Sequence, residues 1–391
     1  MEKNKSECKS YFVPFSKLHI VSFDVPYPPD YGGIIDVYYK IKSLHEAGCE
    51  IYLHCFEYGR GHAAELEKYC KEVHYYKRIT GIRGISLSLP YIVYSRRSND
   101  LLKRLQEVEA PVLFEGVHTT YYLSHPSLRD RIKGIRTHNL EHEYYLKLAD
   151  REPDFLKKTY YKTEAALLKK YEASLHNANV FLTVSLTDSD HLRKLYPGIN
   201  NYFAPSFHPY DAVNSKTGTG TYCLYHGNLS HAENREAVFF LLDKVISHLQ
   251  TQFIITGKDP AEDLVSACNR LTNCKIIPNP DQSTMGSLVE NAHIQVLPTF
   301  QAAGLKLKLL NALFGGRHVL VNEEMVYGSG LNALCHIADT GASFTSKINE
   351  LMQQPFTEND KQSRTELLKP YNKVNNADII LRAMGIKPFR L

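Results

Sequence analysis

"HIQVLPTFQAAGLKLKLLNALFGGRHVLVN", residues 293–322, decides how the chain is read. Two short apolar runs, "HIQVLP" and "RHVLVN", flank "QAAGLKLKLLNALFGG" (301–316), where apolar residues return at helical spacing. Strand, helix, strand at this spacing is one unit of a parallel sheet. The helix start is unusual, because Gly304, Lys306 and Lys308 stand among leucines. A lysine is seldom buried without a partner. Either both ammonium groups reach water along their stems, or something anionic waits at the helix start. On a helix Gly304, Lys308 and Asn311 share one face, while Leu307, Leu310 and Phe314 form the adjoining apolar stripe. The helix N-terminus would add unpaired N–H groups and a partial positive charge, and Gly304 would let a ligand approach the backbone. A phosphate, or a diphosphate carrying a sugar, suits that arrangement. A surface helix with solvated lysines is the bland alternative.

Working outward, the second half repeats the alternation. "YCLYHGN" (222–228), "QFIITGK" (252–258) and "CKIIPNP" (274–280) read as strands, and "AENREAVFFLLDKVISHL" (232–249), "EDLVSACNRL" (262–271) and "MGSLVENA" (285–292) as helices. In the first half, strand "KLHIVSFDV" (17–25) runs through the turn "PYPPDYGG" (26–33) into helix "IIDVYYKIKSLHEAG" (34–48). Strands "CEIYLHCF" (49–56), "PVLFEGVH" (111–118), "IKGIRTHN" (132–139) and "ANVFLTVS" (178–185) follow, with a long helix over 155–177. Residues 203–221, rich in Pro, Ser, Gly and Thr, read as a linker. The pattern predicts an α/β protein of two doubly wound domains facing one another, as the length of 391 residues also suggests.

Composition narrows the function. With 43% hydrophobic and 23% charged residues the chain is of the globular class, and a net charge of +4 argues against a dedicated nucleic-acid binder. Residues 1–200 hold 29 Lys/Arg against 25 Asp/Glu and the remainder 17 of each, so the first half carries the excess. Eight cysteines without a CxxC pair predict reduced thiols and a cytoplasmic protein. The polar opening "MEKNKSECKS" predicts no signal peptide, and no apolar run is long enough for a membrane span. Segment 73–104 carries seven Lys/Arg, one acidic residue and interleaved tyrosines. It reads as a loop and helix meeting an anionic membrane surface or an anionic acceptor, or else as a solvated basic face.

In open α/β sheets ligands bind beyond the C-terminal strand ends. There "EGVHTT" (115–120) offers Glu115 and His118, a proton carrier near neutral pH. "YHGNLSHAEN" (225–234) offers a turn whose N–H groups at Gly227 and Asn228 could hold phosphate oxygens, with no Walker lysine. "PPDYGG" is not a dinucleotide fingerprint, which argues against a dehydrogenase; Gly32 and Gly33 would admit a ligand at that helix start. "THNLEHEYY" (137–145) spells H-x-x-E-H through His138, Glu141 and His142, an inverted zinc-protease motif, but His138 follows directly on a strand. The other readings are a bland polar helix start, or a cleft-lining turn with Asn139 and Glu141 as polar hooks, in a cleft that Glu115 and His138 would also line. No paired carboxylates of the glycosidase kind and no DxD at a strand end stand out.

Together these stretches resemble the glycosyltransferases of GT-B fold, family 4 type (group 1). "PYPPDYGGIIDVYYKIKSLHEAGCEIYL" resembles the family's first glycine loop and helix; "HNLEHEYY" and "YEASLHNANVFLTVSLTD" the end of its first domain; "YHGNLSHAENREAVFFL" the opening of the nucleotide-sugar domain. "PTFQAAGLKLKLLNALFGGRHVLVN" resembles the donor segment G-x-[RK]-x-K-x-L-E-A, and "YNKVNNADIILRAMG" the C-terminal helix. The resemblance implies two Rossmann-like domains with an interdomain cleft: residues 1–205 for the acceptor, 206–375 for the nucleotide sugar, and 376–391 crossing back to the first domain. It implies transfer from a nucleotide-diphosphate sugar with retention; a hexose is the expected group, a glycan or lipid-linked saccharide the expected acceptor, and the missing DxD predicts no obligatory metal or other cofactor. Gly32, Gly33, Gly227, Asn228, Gly304, Lys306, Lys308 and Asn311 would bind the donor, and His118 would sit at the reacting sugar. Asn311 replaces the family's usual glutamate, and the usual basic residue after Gly227 is missing. The rival readings are a GT-B epimerase, a zinc hydrolase through HNLEH, and a degenerate sugar-binding protein.

Overall fold

The computed structural model describes residues 17–300 and 306–388. Its first sheet contains β1 (Lys17–Ser22), β2 (Glu50–Glu57), β3 (Glu72–Lys77), β4 (Val112–Glu115), β5 (Lys133–Thr137), β6 (Val180–Thr183) and β7 (Asn200–Phe203), in the order β3-β2-β1-β4-β5-β6-β7. The second contains β8 (Tyr222–Asn228), β9 (Gln252–Lys258), β10 (Cys274–Pro278), β11 (Ile294–Val296), β12 (His318–Val321) and β13 (His336–Ile337), in the order β10-β9-β8-β11-β12-β13. The pairings within both are parallel. Parallel strands are covered by helices on both faces and therefore read as unbroken apolar runs. "VFLT" of β6 and "HVLV" of β12 are buried at every position.

The helices that position the cleft are α1 (Gly32–Glu46), α2 (Glu141–Arg151), α3 (Phe155–Glu172), α4 (Ala232–Lys244), α5 (Leu307–Gly315) and α6 (Lys373–Ala383). Helix α1 buries Ile34, Val37, Ile41 and Leu44 and ends before Gly48, whose φ of 83° no β-carbon favours. Helix α6 adds Ala377, Ile380 and Leu381 to the same core as Leu18, Ile20 and Val37.

Strands β8 and β9 fall on the residues read from the sequence. Strands β7 and β13 have no counterpart in the sequence reading, and two further elements differ. The basic segment 73–104 is not only loop and helix, because its first residues are β3, paired along β2. The described part of the helix expected over 301–316 begins at Leu307, with Lys306 at its N-cap, and Gly304 lies outside the described residues.

A polar cluster is built into the first core. Arg136 on β5 donates to both Asp36 oxygens, at 3.0 and 3.2 Å, and Lys40 reaches Asp36 at 3.0 Å and the Glu115 carboxylate at 2.8 Å. All four side chains are at most 1% exposed. Burial alone would raise the Asp36 pKa, but Arg136 and Lys40 outweigh it and hold it well below the carboxylate range. Asp36→Ala would leave two buried cations with the single carboxylate of Glu115 and is expected to cost about 3–5 kcal/mol in denaturant unfolding. Because the folded pKa is depressed, this contribution is complete above the ordinary Asp value and is lost as the pH falls. The melting temperature should therefore drop below about pH 4, with a shallower drop in Asp36→Asn.

Candidate functional site

Strand order reverses between β1 and β4 in the first sheet and between β8 and β11 in the second. Loops leaving the two strands at such a point splay apart and open a crevice at the C-terminal strand ends. In the first domain that edge carries Phe23 after β1, His118 after β4 and His138 after β5. The Phe23 ring lies 5.5 Å from His118 and 5.7 Å from His138. Gly33 is required beside it, since a β-carbon there would stand 2.8 Å from the Phe23 ring. Gly116 turns the chain after β4 with φ 68°, and His118 Nδ1 is buried without a partner among the described residues. Burial, then the nearby Arg96, press the His118 pKa well below its usual value, so the ring is neutral at pH 7.

Glu115, expected at the strand end as a cleft residue, lies beneath the cleft surface. It is fully buried, takes Lys40 as partner, and accepts from His138 Nε2 at 3.2 Å. Asp36, Glu115 and His138 lie close enough together to hold a metal ion. Lys40 already lies 2.8–3.0 Å from both carboxylates, so the cation there is an ammonium group.

On the second domain the opening question has its answer. Lys306 Nζ lies 3.2 Å from Glu233 Oε1, and Lys308 Nζ lies 2.9 Å from Asn234 Oδ1 and 3.3 Å from the Tyr225 hydroxyl. The lysines turn inward, and the anion beside them is a carboxylate from the first turn of α4. Thr299, after β11, donates to the same carboxylate. Desolvation lowers both lysine pKa values, and that of Lys308 falls to about 8 even though Glu233 pulls it upward. His226, at the end of β8, is buried and neutral, with its pKa at about 3 through desolvation and then Lys308; its Nε2 has no partner among the described residues. Asn311 is half-buried on α5.

Just past Gly227–Asn228, the N–H groups of Leu229, Ser230 and His231 go to Lys258 O, Asn228 Oδ1 and Asn228 O, so these three are already satisfied. Gly227 instead admits Asn234, which a β-carbon would meet at 3.2 Å. Gly32 meets the second domain, its β-carbon position lying 4.0 Å from Leu307. The cleft mouth is a cavity of about 990 Å³ lined by Tyr27, Asp30, Tyr31, Tyr58, Arg60 and Lys258. There Asp30 is paired with Arg60 and, at 2.9 Å, with Lys258 of the second domain.

His138 and His142 do not converge. His142 Nδ1 pairs with Glu172 on α3, while His138 faces Glu115, and no group of three ligands among the described residues holds both. Asn139 and His142 line a separate enclosed cavity of about 190 Å³. Glu141 opens α2, buried, its pKa raised to about 8 by desolvation and then by Glu172. Reading the sequence missed Tyr225, His226, Glu233 and Asn234. Their signal was an acidic residue in the first turn of the helix that follows a strand-end glycine.

No family model matches the chain. It is 26% identical over 342 residues, 81% of this chain and 85% of the other, to an "uncharacterized 44.6 kDa protein in cps region" of Klebsiella pneumoniae. Among solved structures it is similar to TarM, with a TM-score of 0.67 and 10% identity, covering 95% of this chain and 99% of that one. It is also similar to sucrose-phosphate synthase of Thermosynechococcus elongatus, with a TM-score of 0.60 and 13% identity, covering 94% and 96%. A variant of the S. aureus TarM has been solved with UDP and alpha-GlcNAc-glycerol. The two parallel sheets and these likenesses show the GT-B fold.

If the lysine pair is an anion site held by an internal carboxylate, Glu233→Gln should lower the melting temperature, because Lys306 loses its partner. Inorganic phosphate should then raise the melting temperature of the variant more than that of the wild type.

Proposed function

We propose that this chain is a glycosyltransferase that moves a hexose from a nucleoside-diphosphate sugar to a glycan or lipid-linked saccharide. In this reading it works in polysaccharide biosynthesis at the cytoplasmic face of a membrane. The observation that carries it is the pair Lys306 and Lys308, which share one carboxylate at the second domain's switch point and leave one positive charge uncompensated in a poorly solvated cleft. The GT-B fold and the relative from a cps region support it. Residues 1–205 would receive the acceptor and 206–375 the donor, with 376–391 returning to the first domain.

A glycosyl diphosphate breaks as negative charge builds on the leaving phosphate. Fixed cations near that oxygen stabilise the charge as it forms and need not reorganise. We assign that work to Lys308 and Lys306, which makes an obligatory metal unnecessary. Gly32, where the two domains approach, would leave the backbone open to a donor lying between them, while Gly33 and Gly227 make room for the Phe23 ring and the Asn234 side chain that border it. Asn311 would hydrogen-bond donor hydroxyls in place of a glutamate. His118, neutral and with an unpaired nitrogen, would hydrogen-bond the reacting sugar. Departure and attack on one face give retention. Glu115 and Asp36, both paired to cations, supply no free acid and base of the kind an epimerase needs.

Thermal-shift measurements with UDP, GDP, CDP and ADP and their sugars test the reading. One nucleotide should raise the melting temperature, Lys308→Met should abolish the rise, and affinity should weaken as the pH climbs past about 8, where Lys308 loses its proton. His118→Ala should keep the rise and lower turnover roughly a hundredfold. Nucleotide binding without turnover of any sugar would instead favour the degenerate binding protein, the reading that Asn311 suggests.

A further inference from the structure

Outside the cleft, large apolar side chains stand in solvent on two adjoining elements of the first domain. Ile82 and Leu87, on the segment after β3, are 88% and 97% exposed; Phe155 and Leu156, at the start of α3, are each 77% exposed. Singly exposed apolar residues are ordinary, but a group of them marks an interaction surface. The elements touch: the Tyr91 N–H donates to Glu164 on α3 at 2.8 Å, and Tyr160 lies within electrostatic reach of Tyr91 and Arg78. Leu156, Tyr160 and Glu164 follow at i, i+4 and i+8, so Leu156 continues the stripe that faces the segment.

The charge around this apolar set is mostly positive. Residues 77–99 contain Lys77, Arg78, Arg83, Arg96 and Arg97 and no acidic residue, and residues 155–163 contain Lys157, Lys158 and Lys162 and none, while Asp100, Glu152, Asp154 and Glu164 stand at their borders. Arg96 is buried and spends its donors on Phe23 O and Ile92 O, but Lys77, Arg83, Lys157 and Lys162 are exposed. Apolar tips on a loop and a helix start, ringed by cations, match an interface with acyl chains below and phosphates beside them.

We propose that this face docks on an anionic lipid bilayer, with Ile82, Leu87, Phe155 and Leu156 entering the headgroup boundary and the surrounding lysines and arginines meeting lipid phosphates. No helix among the described residues is long and apolar enough to cross a membrane. The sheet is parallel, so the segment after β3 and the chain after β5 leave the edge that also carries His118. The docked face thus borders the cleft mouth, and an acceptor held in the same bilayer would meet the cleft. The docking itself does not depend on sugar transfer.

Co-sedimentation of the full chain with sucrose-loaded vesicles tests this, using phosphatidylcholine alone and phosphatidylcholine with roughly one third phosphatidylglycerol. The protein should bind the anionic vesicles, lose binding in high salt and ignore the neutral ones. Leu87→Ser with Phe155→Ser should weaken binding roughly tenfold at unchanged melting temperature, and Arg83→Ser with Lys157→Ser should remove the salt-sensitive part. No binding, equal binding to both vesicles, or binding untouched by either double variant would overturn the proposal. So would light scattering that shows a dimer dissociated by Leu87→Ser with Phe155→Ser, since a second copy would then cover this face. None of these outcomes reports on turnover, so this proposal and the transferase reading fail separately.

Discussion

Two cations held between two carboxylates, in a place water does not reach, organise the first domain. Asp36 comes from α1, Glu115 from the end of β4 and Arg136 from β5, while Lys40 closes the group one helical turn past Asp36. Asp36 also accepts the N–H of Phe207 at 2.7 Å, and Arg136 donates to the carbonyls of Ala204 and Pro205. A helix, two neighbouring strands and the chain leaving the first sheet are thereby fixed to one point. Removing such charges from water is expensive, and only complete mutual pairing offsets it. The arrangement therefore tolerates little sliding of α1, and it aims His138 through Glu115.

The second domain places charge differently. Charges in the first cluster nearly cancel, whereas Lys306 and Lys308 share the single carboxylate of Glu233. Lys308 relies on neutral partners, the Asn234 carboxamide and the Tyr225 hydroxyl. Desolvation depresses its pKa first and Lys306 adds to that, against the upward pull of Glu233. The same chemistry, buried ammonium beside carboxylate, holds structure in one half and leaves an unmet demand for an anion in the other.

Much of this architecture could be read from the chain. Apolar periodicity placed β8 and β9 correctly, because parallel strands covered on both faces write themselves as apolar runs bounded by Gly, Pro and Asn. β3 escaped notice because "EVHYYK" lies mostly half-buried near the sheet's edge and mixes tyrosine with charge. The lysines at 306 and 308 were visible as an anomaly, but their partners were not: Tyr225, Glu233 and Asn234 sit more than seventy residues away and converge only through the sheet. The H-x-x-E-H spelling misled for the same reason. Glu115 and Glu172, from two distant elements, claim its two histidines separately, and no local spacing announces that.

At the mouth of the cleft Asp30 is gripped by Arg60 from its own half and by Lys258 from the other, and the Lys258 side chain is 50% exposed. A pair so open to water contributes at most about 1 kcal/mol, close to thermal energy. This contact between the halves is therefore light, and dissolved salt competes for both of its ends. Salt that screens this one pair leaves the other contacts between the halves in place, among them Arg151 with Glu236 and the Phe300 carbonyl, and the Leu186 N–H with Gly328 O.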